Sequence, residues 1–170
     1  MIPRFRPPHT WRDLVVLLTR KKPSESLREL EGTFALAAGQ RHAHVFPYGR
    51  TALVAVLEYL REKSTSDRTE VICPSYTCIV VAHAIVEAGL QPVFVDSDDE
   101  TLNLDWGFVD QAVSGKTLAV VSTSLFGNPV KISDVDSFRN KYPDIPIVQD
   151  CAHSFFAGGV HREGIAAVYG

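Results

Sequence analysis

The apolar residues of this chain fall into short unbroken runs separated by longer stretches with a helical period. The runs EVICP, QPVFVD, TLAVVST and IPIVQD predict buried strands, and GIAAVYG begins a further one. Because these runs do not alternate with polar residues, both faces of the sheet should be covered. The stretches between them predict amphipathic helices, among them LDWGFVDQAVS, which opens near Asp105. The order of elements predicts an α/β fold, with a mostly parallel sheet and helices on both faces.

The first part of the chain has a different pattern. Residues 1–23 are rich in Pro and Arg and predict an arm, extended over MIPRFRPPH, with one short helical pattern near Trp11–Leu18. A helix over residues 24–38 follows, with Ser24 as its N-cap and Gly39 as its stop. The short extended run HAHVF predicts a strand, and the turn PYGR and the helix TALVAVLEYLREK come next.

Composition and charge narrow the class of protein. The chain has 170 residues, of which 45% are hydrophobic and 22% charged, as in one ordinary globular domain. A net charge of −3 gives no electrostatic case for nucleic acid or an anionic membrane. No apolar stretch is long enough to span a bilayer, and no signal peptide is recognised. The three cysteines do not make a disulfide framework or a zinc site, so we expect reduced thiols in a cytoplasmic protein.

Four features follow predicted strands or precede helices, at the edge of the sheet where α/β proteins bind ligands. They are GRTA at 49–52, PSYTC at 74–78, the run after TLAVVST, and the pair Asp150 and His153. GRTA could bind a phosphate through the free amides of a helix N-terminus, or it could be only a turn with a threonine that caps the helix. It is neither a P-loop nor a dinucleotide fingerprint.

Asp150 ends the buried run IPIVQD, where a carboxylate needs a cationic partner or several hydrogen-bond donors. One interpretation is a capping aspartate that accepts backbone amides. The other is a partner for a ligand cation, such as a protonated ring nitrogen. A metal site is not indicated, because the nearby carboxylates do not have the spacing of metal ligands. A serine hydrolase is not indicated either, because the GxSxG motif is absent from the sequence.

The ordered motifs resemble those of the DegT/DnrJ/StrS sugar aminotransferases, over about residues 24–170. LRELEGTFALAAG resembles "E..FA...G", and YGRTALVAVL resembles "SGTAAL..AL". The long stretch from VICPSYTC to LNLD resembles "VI.PS.TF.AT..A....G..PVFVD.D..T.N.D". SLFGNPVKISDV resembles "HLYG.P.DM", and IPIVQDCAHSFFA resembles "I.VIEDAAHA.G". The resemblance implies the large domain of the aspartate-aminotransferase-like fold type I, with pyridoxal 5′-phosphate (PLP) as cofactor.

The resemblance also assigns roles to residues of this chain. Gly49, Thr51 and Ala52 match the turn that holds the cofactor phosphate. Asp150 matches the acid that pairs with the pyridine nitrogen, where a carboxylate favours the protonated ring and so a better electron sink. His153 matches a position beside the 3-oxygen of the ring.

The sequence departs from the family pattern at three of these positions. Cys78 stands where an aromatic residue usually stacks on the ring, so Tyr76 or another surface would have to cover it. Arg50 replaces a small residue in the phosphate turn, where a guanidinium could contact the cofactor phosphate or a substrate phosphate. Ser124 stands where "HLYG" has histidine.

The family's Schiff-base lysine matches no lysine of this chain, so the resemblance implies a fragment with no catalytic residue of its own, an arm at 1–23 and a partial PLP-binding domain at 24–170. The implied enzyme is a homodimer that moves an amino group, from a donor such as glutamate, onto a keto sugar linked to a nucleotide. Two alternatives stay open. One is a PLP-dependent sugar dehydratase of the same family, and the other is a non-catalytic remnant that serves as a binding or dimerisation partner.

Overall fold

A computed structural model describes residues 10–18, 23–154 and 166–169 of the chain. Its centre is a sheet of five strands in the order β2-β1-β3-β4-β5. All pairings between neighbouring strands of this sheet are parallel, which confirms the fold class predicted from the sequence. The strands are β1 (Glu70–Pro74), β2 (Gln91–Val95), β3 (Thr117–Thr123), β4 (Ile147–Asp150) and β5 (Ala166–Val168).

Six α-helices accompany the strands in the described part of the chain. They are α1 (Trp11–Leu18), α2 (Pro23–Ala37), α3 (Gly49–Lys63), α4 (Ile79–Glu87), α5 (Trp106–Ala112) and α6 (Ile132–Lys141), with a short 3-10 turn at Leu125–Gly127. None of these helices is long and apolar enough to cross a membrane.

The sheet is covered on both faces because its strands are apolar on both sides. On one face, α3 and α4 pack through Leu57 and Ile85, which are fully buried. On the other face, α5 and α6 pack through Val109 and Val135. Alternate residues of each strand point to opposite faces and contribute to the two hydrophobic cores there. Val121 of β3 therefore faces α3 and α4, while Val120 faces α5 and α6. Since helices on both faces hold the strands, the sheet is a rigid base for side chains at its strand ends.

Local signals set several of the element ends. Asp105 caps α5, because its side chain accepts hydrogen bonds from the amides of Gly107 and Phe108, as the sequence predicted. Gly39 and Gly89 end α2 and α4 with positive φ angles of 63° and 73°, a conformation that costs glycine little.

Two local predictions were wrong. Helix α2 begins at Pro23 rather than after Ser24, because proline fits the first helical position, where its missing N–H leaves nothing unpaired. The run HAHVF forms no strand, and the amide of Val45 in this run donates to the Glu31 carboxylate at 3.1 Å. The turn before α3 is therefore preceded by an irregular segment and not by a strand.

Candidate functional site

A cavity of about 200 Å³ opens where strands β3, β4 and β5 end and helices α3 and α4 begin. Its walls come from five elements that lie far apart in sequence, and parallel packing brings them to one edge of the sheet. The residues that line it include Gly49, Arg50, Thr77, Cys78, Thr123, Ser124, Asp150, His153 and Val168. Of the predicted cofactor-binding residues, the cavity brings together Gly49, Arg50, Cys78, Asp150 and His153.

One wall is the N-terminus of α3. The amides of Gly49 and Arg50 donate to no acceptor in the described part of the chain, as expected for the first turn of a helix. Helix α4 also begins at this cavity, since Cys78 precedes its first residue. Two helix N-termini and the Arg50 guanidinium together make this wall electropositive and suited to an anion.

The Thr51 hydroxyl is engaged within its own helix turn, as in the capping interpretation of GRTA. It donates to the carbonyl of Tyr48 at 2.7 Å and accepts from the amide of Tyr48 at 3.3 Å. Its single proton is therefore used to cap α3, and Thr51 does not line the cavity. Ala52 lies on α3 and packs against the hydrophobic core between this helix and the sheet. Tyr76 is half exposed to solvent and is not among the residues that line the cavity.

Asp150, the last residue of β4, also lines the cavity. One carboxylate oxygen, Oδ1, accepts from the amide of Ala152 at 3.0 Å. Asp150 forms no salt bridge with any described residue. Burial raises the pKa of this carboxyl above its ordinary value, while the Ala152 amide and the nearby His153 act in the opposite direction. No described residue forms a salt bridge with the carboxylate. A cationic ligand would therefore offset the free-energy cost of burying its charge.

His153 and Cys78 complete the rim. His153 is exposed and its ring lies 6.3 Å from the ring of Phe126, centroid to centroid. Cys78 is exposed and free, whereas Cys73 and Cys151 are buried thiols. Burial raises the pKa of Cys73 to about 12 and that of Cys151 to about 11. Cys78 is therefore the accessible thiol of this rim.

Thr123 also lines the cavity, and sequence reasoning missed it as a site residue. Its side chain is 1% exposed, and its hydroxyl has no hydrogen-bond partner among the described residues. The one available signal was its place at the end of β3, beside the end of β4 that carries Asp150. A threonine at the end of the apolar run TLAVVST looked like ordinary strand composition.

The lining of the cavity thus includes backbone donors, Arg50 and the Asp150 carboxylate, which forms no salt bridge with any described residue. A ligand that fits carries an anionic group at one end and a protonatable nitrogen at the other. PLP has this pair of groups, a phosphate and a pyridine nitrogen, so the residues present fit the cofactor that the motifs implied.

Comparisons with known proteins agree with this geometry. A model of the DegT/DnrJ/EryC1/StrS aminotransferase family matches residues 20–163. The dTDP-4-amino-4,6-dideoxy-D-glucose transaminase of Escherichia coli is 30% identical over 135 residues, which cover 78% of this chain and 35% of that protein. The chain spans about a third of the length of such relatives.

Solved structures of the same kind superpose on the fold. An aminotransferase from Psychrobacter cryohalolentis matches with a TM-score of 0.77 at 26% identity, over 89% of this chain and 38% of that one. The Escherichia coli GDP-4-keto-6-deoxy-D-mannose-3-dehydratase, solved with bound hydrated PLP, matches with a TM-score of 0.71 at 26% identity, over 81% of this chain and 36% of that one. The matched family model, the parallel sheet and the cavity at its strand ends lead to one conclusion: the chain belongs to the DegT/DnrJ/EryC1/StrS aminotransferase family.

Proposed function

We propose that this chain carries the PLP-binding part of an enzyme that transfers an amino group from an amino acid, such as glutamate, to a keto sugar linked to a nucleotide. The observation that carries the proposal is Asp150, a carboxylate that forms no salt bridge with any described residue and lines the same cavity as the free amides at the start of α3. The transaminase names of similar proteins support the reaction class and the sugar substrate. Cytoplasmic location and homodimer formation belong to the same proposal.

When bound, PLP would supply an electron sink for the negative charge that develops on the amino-bearing carbon during transfer. The residues of this chain set up that chemistry. The amides at the start of α3 and the Arg50 guanidinium hold the phosphate. Asp150 holds a proton at the ring nitrogen, because a carboxylate stabilises the cation beside it. His153 lies at the rim on the same side as Asp150, where it can hydrogen-bond the ring oxygen.

Cofactor binding by this chain is non-covalent in our proposal. No lysine among the described residues lines the cavity. Borohydride treatment of a mixture of the chain with PLP should therefore leave no cofactor fixed on a specific lysine. A single, stoichiometrically labelled lysine would contradict this part of the proposal.

The experiment that tests the proposal measures PLP affinity by calorimetric titration of the 170-residue chain. Asp150→Asn should weaken binding roughly ten- to hundredfold, because it removes a charge-assisted hydrogen bond to the ring nitrogen. Asp134→Asn is the matched control, since Asp134 lies on α6 and does not line the cavity. Equal affinities for wild type and Asp150→Asn would overturn the proposal.

A second function is favoured by one specific observation. The dehydratase of the family matches this fold almost as well as the aminotransferase does, at the same identity of 26%. Incubation of the natural gene product with PLP, glutamate and a nucleotide-linked 4-keto-6-deoxy sugar separates the two. An amino sugar supports transfer, and a sugar that has lost a hydroxyl supports dehydration. PLP binding with neither product would favour the non-catalytic role.

A further inference from the structure

Thr123 and Asp150 are partners in the parallel register of β3 and β4. Both line the same cavity, so their side chains lie on the same face of the sheet. Neighbouring strands are about 4.8 Å apart, which places two such side chains within hydrogen-bonding reach after a rotation. The carboxylate of Asp150 uses only Oδ1, and its second oxygen receives no donor from the described residues.

We propose that Thr123 is a positioning residue whose hydroxyl donates a hydrogen bond to the second carboxylate oxygen of ionised Asp150. Together with the Ala152 amide, this bond would fix the plane of the carboxylate and keep it charged. The consequence for PLP, a correctly directed acceptor for the ring nitrogen, rests on the proposed function. The hydrogen bond itself does not, and it can be tested on the free chain.

The burial of Thr123 decides between Asp150 and a ligand as its partner. The hydroxyl oxygen is inaccessible to water, so a larger ligand atom cannot reach it directly. Asp150 is only partly buried, and it lines the same cavity as Thr123. A buried hydroxyl without a partner costs free energy, and Asp150 is the nearest acceptor that the strand register offers.

Other groups also bear on the charge of Asp150, and the test must separate them. From the helices, Arg50 of α3 and Cys78 at the start of α4 line the same cavity. From the chain after β4, Cys151 and His153 lie next to it. Because none of them changes in a Thr123 variant, a change in the pKa of Asp150 reports the hydroxyl.

The experiment follows the Asp150 carboxyl carbon by NMR as the pH is varied, with Asp150→Asn identifying the signal. Thr123→Val removes the donor at nearly constant shape and should raise the pKa of Asp150, since hydrogen bonds to a carboxylate favour its charged form. Thr123→Ser keeps the donor and should leave the pKa near the wild-type value. Ser122→Ala removes another unpaired buried hydroxyl, one residue earlier on the opposite face, and should have no effect.

A second measurement covers the case in which Thr123→Val does not fold. In the wild-type chain, exchange of the Thr123 hydroxyl proton with water should slow as Asp150 becomes ionised. An exchange rate that does not fall, or an unchanged pKa of Asp150 in folded Thr123→Val, overturns the proposal. PLP affinity should fall about tenfold in Thr123→Val. If PLP binds none of the proteins, the proposed function fails while the hydrogen bond is still decided by the pKa.

Discussion

Asn103 and Asn128 bind each other's chain segments. The side-chain amide of Asn103 donates to the carbonyl of Asn128 at 3.2 Å, and that of Asn128 donates to the carbonyl of Thr101 at 2.7 Å. This reciprocal contact joins the loop after β2 to the segment after β3. Since Ser124 and Leu125 of that segment line the cavity, the pair supports one of its walls.

Asn103→Ala should therefore lower the free energy of unfolding by about 1–3 kcal/mol, because a buried side chain loses its hydrogen bonds and leaves carbonyls unpaired. Urea unfolding followed by circular dichroism measures the change. Asn140→Ala, at an exposed position on α6, should stay within about 0.5 kcal/mol of wild type. Equal effects of the two substitutions would show that the reciprocal pair carries no stability.

Asp150 and Asp98 should respond to pH in opposite directions. Burial raises the pKa of Asp150 above 3.8, so its contribution to stability is present below pH 3.8 and is lost as pH rises through the folded-state pKa. Hydrogen bonds from the Thr101 hydroxyl and amide lower the pKa of Asp98, so its contribution is present above pH 3.8 and is lost as pH falls through the lowered value.

The measurement is urea unfolding of both Asn variants between pH 3 and pH 7. Asp150→Asn should gain stability relative to wild type as pH rises, and Asp98→Asn should lose it. Parallel curves for the two variants would contradict the opposite signs. The loss expected for Asp98→Asn is small, because that carboxylate is solvated.

Cys78 should be the thiol that reacts first. It is exposed, whereas burial raises the pKa of Cys73 to about 12 and that of Cys151 to about 11, so neither forms much thiolate near pH 8. Iodoacetamide treatment of the folded chain followed by peptide mass spectrometry should find the label on Cys78. Added PLP should slow the reaction, because Cys78 lines the cavity. Labelling of Cys73 or Cys151 at a comparable rate would count against this assignment.

Arg50 should recognise the phosphate and not the ring. Arg50→Gln is expected to weaken PLP binding about tenfold through the loss of a charge-assisted contact, while binding of pyridoxal, which lacks the phosphate, stays unchanged. Arg28→Gln, at an exposed position on α2, is the matched control. Equal losses for both ligands would place Arg50 elsewhere in the site.

The sequence predicted the sheet and much of the cavity for a physical reason. Unbroken apolar runs alternating with helices indicate a parallel sheet covered on both faces, and parallel strands all end at the same edge. A charged residue at the end of such a run, as at Asp150, is costly unless it has a partner, so it stands out from composition alone. Arg50 and Cys78 were singled out through the resemblance to the family, as departures from its pattern.

Side-chain bonding could not be predicted in the same way. The Thr51 hydroxyl has two possible uses, a ligand or its own helix cap, and the choice depends on backbone angles near Tyr48. Thr123 became visible only through its register with Asp150. Asn103 and Asn128 lie far apart in sequence, and no periodicity links two loops.

The lining of the cavity begins at Gly49, early in the described chain, and ends at Val168, almost its last described residue. During synthesis, the part of the lining that Val168 contributes is added only after β5 has emerged and paired with β4. Contacts between residues that lie this far apart in the sequence form late and slowly in folding. A ligand bound here would stabilise only the completed fold, so cofactor supply and the yield of folded chain should rise together in the cell.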